Sequence, residues 1–337
     1  MASSQLVLGH VGIGAWGMNV FRSFNALPNA RVKTCCDLDT VTLRELHRAY
    51  PHVQTTSTFQ DLIQDPDIRA VAIATPAETH FDFAQAALRA GKHVFVEKPM
   101  TLNAAHAAQL AGLAKQTKLK LMVGHLLQFH PAVVELRRTI EAGILRNISY
   151  IHCLRLGSRR AHIKETSLWD LAPHDVSLIL YLLNPKVVSV SATGDALKHP
   201  VEGDTAFITI RCADGLIVHI HVSSLEPTKT RRLSIIAENG LAVFDDMEPQ
   251  DKLKLFRFSE RSPKHRPFED ALQLKTMETV IPRVWHEPPL QLQCQHFVDC
   301  LLNDQPHRSN QEHGRRVIEI LHAAAAALQR GGAPIYF

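Results

Sequence analysis

Over the first third of the chain, short apolar runs alternate with amphipathic stretches. The runs are Leu6 to Val11, Ala30 to Cys36, Val53 to Thr56, Ala70 to Ala74, His93 to Val96 and Leu119 to Val123. Between them, apolar positions recur at helical spacing from Met18 to Leu27, Val41 to Tyr50, Phe81 to Ala90 and Ala104 to Lys115. Strands buried on both faces read as unbroken apolar segments, and two parallel strands need a crossover that a helix supplies. The rhythm therefore predicts a parallel, doubly wound sheet. In such sheets ligands collect beyond the carboxyl ends of the strands. The residues that follow the runs are the first candidates for chemistry: Asp37, Thr75-Pro76, Glu97-Lys98-Pro99 and Gly124-His125.

Beyond Val123 the rhythm changes. A helix is expected from Pro131 to about Ala142, then a long strand from Ile148 to Leu156, a basic loop, and a helix from about His174 to Leu183. The runs Val187 to Thr193, Ala206 to Cys212, Leu216 to Ser223, Leu233 to Ala237, Leu241 to Phe244 and Leu253 to Phe258 come next, with Ala213-Asp214-Gly215 and Glu238-Asn239-Gly240 as hairpin turns. They predict a largely antiparallel sheet. Residues 259 to 288, rich in Pro, Lys, Arg and Glu, read as a surface excursion, and helices from Leu290 to Leu302 and Gln311 to Gln329 close the chain. The expected class is α/β, with a parallel-sheet domain over 1–124 and an α+β domain over 125–337.

The turn after the first run sharpens this picture. Gly12-Ile13-Gly14-Ala15-Trp16-Gly17 is a G-x-G-x-x-G pattern placed where a strand becomes a helix. Gly12 permits the tight turn, Gly14 lets a pyrophosphate approach the backbone, and Gly17 lets the helix pack on its strand. The helix N-terminus then presents unpaired N–H groups to the phosphates. Asp37, just past the second run, stands where a carboxylate accepts hydrogen bonds from an adenosine ribose. Together they predict a Rossmann domain that binds a dinucleotide. NAD is expected over NADP, because Asp37 repels a 2′-phosphate and no arginine follows in Leu38-Asp39-Thr40.

Composition narrows the classes. At 337 residues and 45% hydrophobic, the chain has enough material for two globular domains. Its net charge of +4 comes from 37 basic and 33 acidic residues mixed along the chain, which argues against nucleic acid or a membrane surface as the main partner. No apolar run approaches a membrane span, and Met-Ala-Ser-Ser-Gln does not read as a targeting peptide, so a cytoplasmic protein is expected. Six cysteines without a C-x-x-C pair point to reduced, buried thiols, with no disulfide framework and no metal.

Two stretches carry titratable groups of catalytic type. Lys98, in Glu97-Lys98-Pro99, follows a strand at the ligand edge, where a lysine can donate to a hydroxyl or stabilise an alkoxide; a surface lysine is the plain alternative. In Leu168-Trp169-Asp170-Leu171-Ala172-Pro173-His174-Asp175, an Asp170 in the capping turn of a helix would reach His174 and raise its basicity. An N-cap aspartate beside an incidental histidine reads the same way.

The glycine turn, Glu97-Lys98-Pro99 and Asp170-Leu171-Ala172-Pro173-His174-Asp175, in this order, closely resemble the glucose-fructose oxidoreductase, inositol dehydrogenase and MocA family. The resemblance implies an NAD(P)-binding Rossmann domain, followed by a sheet domain that forms the substrate pocket and commonly the oligomer interface, as a homodimer or homotetramer. It assigns the catalytic lysine to Lys98, the aspartate to Asp170 and the histidine to His174. The cofactor positions it implies are Gly12, Ile13, Gly14, Ala15, Trp16, Gly17, Asp37, Thr75, Pro76, His80, Glu97 and Lys98. Met18-Asn19 after the glycine turn, Gly124-His125 with Phe129-His130-Pro131, and Trp169 ahead of Asp170 look most like the branch that oxidises sugar nucleotides. Its members oxidise the 3-hydroxyl of UDP-N-acetylglucosamine, or of the corresponding uronic acid, to a ketone that an aminotransferase can use, as in lipopolysaccharide or lipid A biosynthesis. The alternatives are a dehydrogenase of free sugars or cyclitols and a non-catalytic NAD(H)-sensing regulator.

Other candidates are weaker. Arg159 and Arg160 stand ahead of the Asp170 segment, where guanidinium groups can hold a diphosphate, which makes them, with His174, the expected substrate-binding residues. Thr230-Arg231-Arg232 has the same chemistry, but a surface or interface role is favoured. His219 and His221 share one face of a strand; with no third ligand nearby, sheet surface or a subunit interface is the better reading than a metal pair.

Overall fold

The computed structural model describes residues 5–158, 166–195, 204–258, 277–285 and 287–337. The chain begins β1 (Leu6–Val11), α1 (Ala15–Asn25), β2 (Ala30–Cys36), α2 (Thr40–Ala49), β3 (Gln54–Thr56), α3 (Phe59–Gln64), β4 (Ala70–Ile73), α4 (His80–Arg89), β5 (His93–Val96), α5 (Ala104–Thr117) and β6 (Leu121–Val123). These strands form one sheet in the order β3-β2-β1-β4-β5-β6, with every pair parallel. This is the doubly wound order that reverses direction at β1 and opens a crevice beyond the strand ends there. Every residue of β4 and β6 is buried, which is why they read as unbroken apolar runs. Asp39 caps α2 by accepting from the Val41 N–H, and Asn103 caps α5 by accepting from Ala105 and His106. The helix α3 has no signature in the sequence, because its six residues are too few to display a period.

The remaining elements are α6 (Pro131–Glu141), β7 (Ile148–Ser158), α7 (Ser167–Asp170), α8 (Ala172–Leu183), β8 (Val187–Asp195), β9 (Thr205–Cys212), β10 (Ile217–Ser223), β11 (Leu225–Ala237), β12 (Gly240–Asp245), β13 (Leu253–Phe258), β14 (Met277–Val280), α9 (Pro289–Leu302), α10 (Gln311–Gln329) and β15 (Ile335–Tyr336). A second sheet runs β14-β13-β12-β11-β7-β10-β9-β8-β15. It is antiparallel except at β7 and β10, which pair parallel. β14 lies in the stretch expected to be a surface excursion, and it pairs with β13 at the sheet edge, where a short strand shows little alternation. Residues 259–276 and 286 of that stretch lie outside the described residues.

The compact units do not follow a single cut at 124/125. One comprises the described residues of Met1–His130, Val176–Tyr181 and Glu287–His322; the other comprises those of Pro131–Asp175, Leu182–His286 and Ala323–Phe337. The physical reason is α9. Its Phe297 is fully buried and packs edge-to-face on Phe24 of α1 and Phe95 of β5, with centroids 6.0 and 5.7 Å apart, so a helix from late in the chain completes the core of the parallel sheet. Among the described residues, no helix is long and apolar enough to cross a membrane.

Candidate active site

The glycine turn is built as its spacing demands. Gly12 has φ +89°, and a Cβ there would lie 2.6 Å from the Ala74 carbonyl oxygen. A Cβ on Gly17 would lie 2.0 Å from the Gly12 carbonyl oxygen, so only glycine lets α1 start this close to β1. Gly14, by contrast, has nothing within 4 Å of its Cβ position, and it caps α1 without any side-chain bond, which leaves the first N–H groups of the helix facing open space. Asp37 accepts from the Ile13 N–H at 2.6 Å and from the Asp39 N–H at 3.0 Å, tying the end of β2 to the turn. A carboxylate has about four acceptor sites, so capacity for ribose hydroxyls remains. The open space at Gly14, the bare helix end and this carboxylate fit a dinucleotide.

Beneath the turn, His10 is fully buried in β1 and its Nε2 lies 3.0 Å from the Gly12 carbonyl oxygen, which fixes Nε2 as the donor. Burial holds its pKa down to about 4, against the pull of that carbonyl and of Asp37, so the ring is neutral. Composition gave no sign of this role, because an isolated histidine in an apolar run has no spacing signature.

The loops after β4 and β5 are joined by His80. Its Nδ1 is 2.8 Å from the Pro99 carbonyl oxygen and its Nε2 is 2.8 Å from that of Thr75, while the Thr75 hydroxyl meets Thr79 at 2.7 Å. Burial lowers the His80 pKa, with the two carbonyls pulling the other way. Glu97 is buried, and its Oε2 accepts from the Lys98 N–H at 3.2 Å. Burial pushes its carboxyl up to about 7, opposed by the Trp16 indole, by that N–H and by the Lys98 charge. A Cβ on Gly124 would lie 2.6 Å from Glu97 Oε2, so the glycine after β6 makes the room this carboxyl occupies. Lys98 is half-buried and the Lys98-Pro99 peptide is cis.

His125 follows. It is 2% exposed, and neither ring nitrogen has a partner among the described residues. Burial, His313 and Lys98 hold it neutral. Nearby, the Gln128 amide nitrogen donates to the Ser177 hydroxyl at 2.8 Å and to His313 Nε2 at 2.7 Å.

In the second unit Asp170 stands at the junction of two helical elements. Asp170 ends the one-turn helix α7, whose N-cap Thr166 accepts from the Trp169 N–H at 3.3 Å; α8 starts only after Leu171. His174 lies in the first turn of α8, not at its start, and its N–H donates to the Leu171 carbonyl at 3.3 Å. Thr166 is the residue with the capping geometry, and Pro173 suits a first turn because its missing N–H would be unpaired there. The next residue, Asp175, accepts two hydrogen bonds from Arg155 of β7, Nε to Oδ2 and Nη2 to Oδ1, both 2.8 Å, with both side chains buried. Nothing in the sequence near either residue announces this pair, because it joins positions 20 apart across a strand and a helix.

Directly across the β7–β11 register from Arg155 stands Arg231. The structure separates it from its neighbour: Arg232 is exposed, whereas Arg231 is half-buried on the face that carries Arg155. Arg159 and Arg160 lie outside the described residues. His219 Nδ1 meets the Thr209 hydroxyl at 2.9 Å, and His221 stacks on Phe207 with centroids 4.2 Å apart. Among the described residues, no group of three or more His, Cys, Asp or Glu side chains is arranged to hold a metal ion.

Comparison with known proteins matches two consecutive stretches of the chain. Residues 7–125 match the oxidoreductase family with an NAD-binding Rossmann fold, and residues 133–243 match the GFO/IDH/MocA C-terminal domain. The chain is 32% identical over 200 residues to the UDP-N-acetylglucosamine 3-dehydrogenase of Acidithiobacillus ferrooxidans, a match spanning 59% of each chain. It is 29% identical over 254 residues to the scyllo-inositol 2-dehydrogenase (NAD(+)) of Bacillus subtilis, covering 72% of this chain and 70% of that one. The solved structure of the Acidithiobacillus ferrooxidans UDP-N-acetylglucosamine 3-dehydrogenase, GnnA, superposes with a TM-score of 0.84 at 23% identity, covering 97% of this chain and 99% of that chain, which establishes the shared fold. With both halves matched and the dinucleotide cradle intact, the chain belongs to the GFO/IDH/MocA family of NAD-binding oxidoreductases.

Proposed function

We propose that this protein oxidises the 3-hydroxyl of UDP-N-acetylglucosamine to the 3-keto sugar nucleotide, with NAD as hydride acceptor. The observation that carries the proposal is the 32% identity to a UDP-N-acetylglucosamine 3-dehydrogenase. A specific observation favours a second reading, a cyclitol dehydrogenase: the match to scyllo-inositol 2-dehydrogenase is of similar identity and extends further along the chain. The corresponding uronic acid is a further candidate substrate.

The glycine turn from Gly12 to Gly17 and Asp37 would hold the dinucleotide, with Thr75, Pro76, His80 and Glu97 shaping the loops beside it. Bound NAD supplies the hydride acceptor. On the protein side, His174 takes the hydroxyl proton, Asp170 orients the imidazole and favours its charged form, and Lys98 donates to the oxygen as negative charge develops on it. The roles of Lys98 and His174 as acid and base are interchangeable in this proposal. Residues 1–124, whose core α9 completes, act as the dinucleotide domain, and the nine-stranded sheet with its helices acts as the substrate and oligomerisation domain. Association through the nine-stranded sheet is supported by Phe207, a large apolar side chain 50% exposed on it, and six free, buried cysteines suit a cytoplasmic setting.

The test is a substrate screen that follows the absorbance of reduced nicotinamide. UDP-N-acetylglucosamine should be turned over far more efficiently than N-acetylglucosamine, glucose or inositol. Equal turnover of free sugars or cyclitols would remove the sugar-nucleotide assignment while leaving the dehydrogenase.

A further inference from the structure

Two arginines stand side by side on one face of the second sheet, and only one of them has its anion. Arg155 is neutralised by Asp175 through two parallel bonds. Arg231, its cross-strand neighbour, uses a single nitrogen: Nη1 donates to the Leu156 carbonyl and, at 2.8 Å, to that of Thr230. A guanidinium has five N–H donors in a planar fork, so the Nε and Nη2 edge is unused. Among the described residues no carboxylate hydrogen-bonds Arg231, although Asp175, Asp170 and Asp246 are all within electrostatic reach. Asp175 is already engaged by Arg155, and the Asp246 carboxylate is met by Lys252 at 3.4 Å. Burial and the neighbouring Arg155 charge both disfavour the Arg231 cation. A half-buried cation whose hydrogen bonds go only to carbonyls gains most from an incoming anion, because a charge-assisted forked pair replaces solvent at its free edge.

We propose that Arg231 holds an oxyanion of the substrate, a phosphate or a carboxylate, next to the Arg155–Asp175 pair that adjoins His174. The assignment rests on the reading of His174 and Asp170 as part of the substrate site. It gives that site a guanidinium within the described residues, carried on a strand and braced by two backbone carbonyls. The oxyanion has two sources among the candidate substrates: the diphosphate of a nucleotide sugar and the carboxylate of a uronic acid. A cyclitol offers neither.

The test titrates UDP and, separately, D-glucuronate onto the full-length protein saturated with NADH, by calorimetry, for the wild type, Arg231→Gln and Arg231→Lys. At least one of the two anions should bind the wild type, and Arg231→Gln should weaken that binding by about ten- to a hundredfold, the range for hydrogen bonds to a charged group. Binding of UDP alone identifies the diphosphate as the source, and binding of glucuronate alone the carboxylate. Arg231→Lys, which keeps the charge and loses the fork, should fall between, and it carries the test if the glutamine variant does not fold. In steady state, Arg231→Gln should raise KM for the charged substrate by the same factor and lower kcat less.

Unchanged affinity in a folded Arg231→Gln, failure of both anions to bind the wild type, or an equal fall in kcat with charged and neutral alcohols would overturn the assignment; the last would show that Arg231 only ties β11 to β7. The outcomes also separate this assignment from the function proposed above. Glucuronate binding that depends on Arg231, without turnover of UDP-sugars, rejects the UDP substrate and keeps Arg231. Turnover of UDP-sugars with KM unchanged in Arg231→Gln does the reverse.

Discussion

The turn after β1 and the stretch from Thr166 to Asp175 both present polar groups in fixed positions, and they do so by opposite means. In the first, the backbone does the holding: glycines at 12 and 17 allow an approach that any Cβ would block, and the bonds run from main-chain N–H groups to Asp37. In the second, side chains do it, through the buried pair of Arg155 with Asp175 and through Thr166 capping a single helical turn. A site held by backbone concentrates its requirements in six consecutive residues. One held by side chains distributes them over distant strands, where substitution of a single partner strands a buried charge.

The strongest challenge to this contrast is catalytic. Under the proposed roles, His174→Ala or Lys98→Ala should lower kcat by about two orders of magnitude or more, the size of a general acid-base contribution, while NAD binding followed by fluorescence titration stays largely intact. Near-native turnover in both variants would remove these residues from the mechanism.

The side-chain brace is tested on stability. Arg155→Ala leaves Asp175 buried without its partner and should cost about 3–5 kcal/mol in chemical denaturation, whereas Arg155→Met with Asp175→Leu should recover much of that loss. A cost below about 1 kcal/mol, the worth of an exposed pair, would mean the brace is not what holds α8.

The backbone-held turn has its own pH signature through His10. Its folded pKa, about 4, lies below the ordinary 6.5, so the unfolded chain binds the proton more readily between those values. Stability is therefore fully present above pH 6.5 and is lost as pH falls toward 4, by about 3 kcal/mol from this group. Glu97 opposes the trend: its raised pKa of about 7 makes stability fall as pH rises from 4.5 to 7. The stability difference between wild type and His10→Gln isolates the histidine. It should shrink steadily from pH 6.5 to 4, and a flat difference would show that His10 titrates normally.

The smallest expected effect concerns cofactor choice. With Asp37 at the end of β2, NAD should bind more tightly than NADP by about 1.4 kcal/mol, a factor of ten, or more. Equal or tighter NADP binding in a titration would contradict the role given to that carboxylate.

How legible each part was follows from how it is built. β1, β2, β5 and α10 have the bounds their patterns predict, because a polar residue or a glycine stands just outside each end of the apolar pattern. α3, β14 and β15 are too short to display a period, and β14 and β15 depend on a neighbouring strand for their pairing. Asp170 ends α7, one residue ahead of α8, and Thr166 is the side chain that caps; a sequence containing Thr166, Asp170 and Pro173 is compatible with either cap, and packing selects between them.

By itself the sequence determined the parallel and antiparallel halves, the glycine turn, Asp37 and the family to which the chain belongs, since each is written in local spacing or in short motifs. Only the tertiary structure decided that α9 completes the first core, that Gly124 makes room for Glu97, that Arg155 is spent on Asp175, and that Arg231 stands across from Arg155 with the Nε and Nη2 edge of its fork unused. These depend on register between strands far apart in the chain and on burial, which changes what a charge costs, and neither quantity is a property of any stretch of residues taken alone.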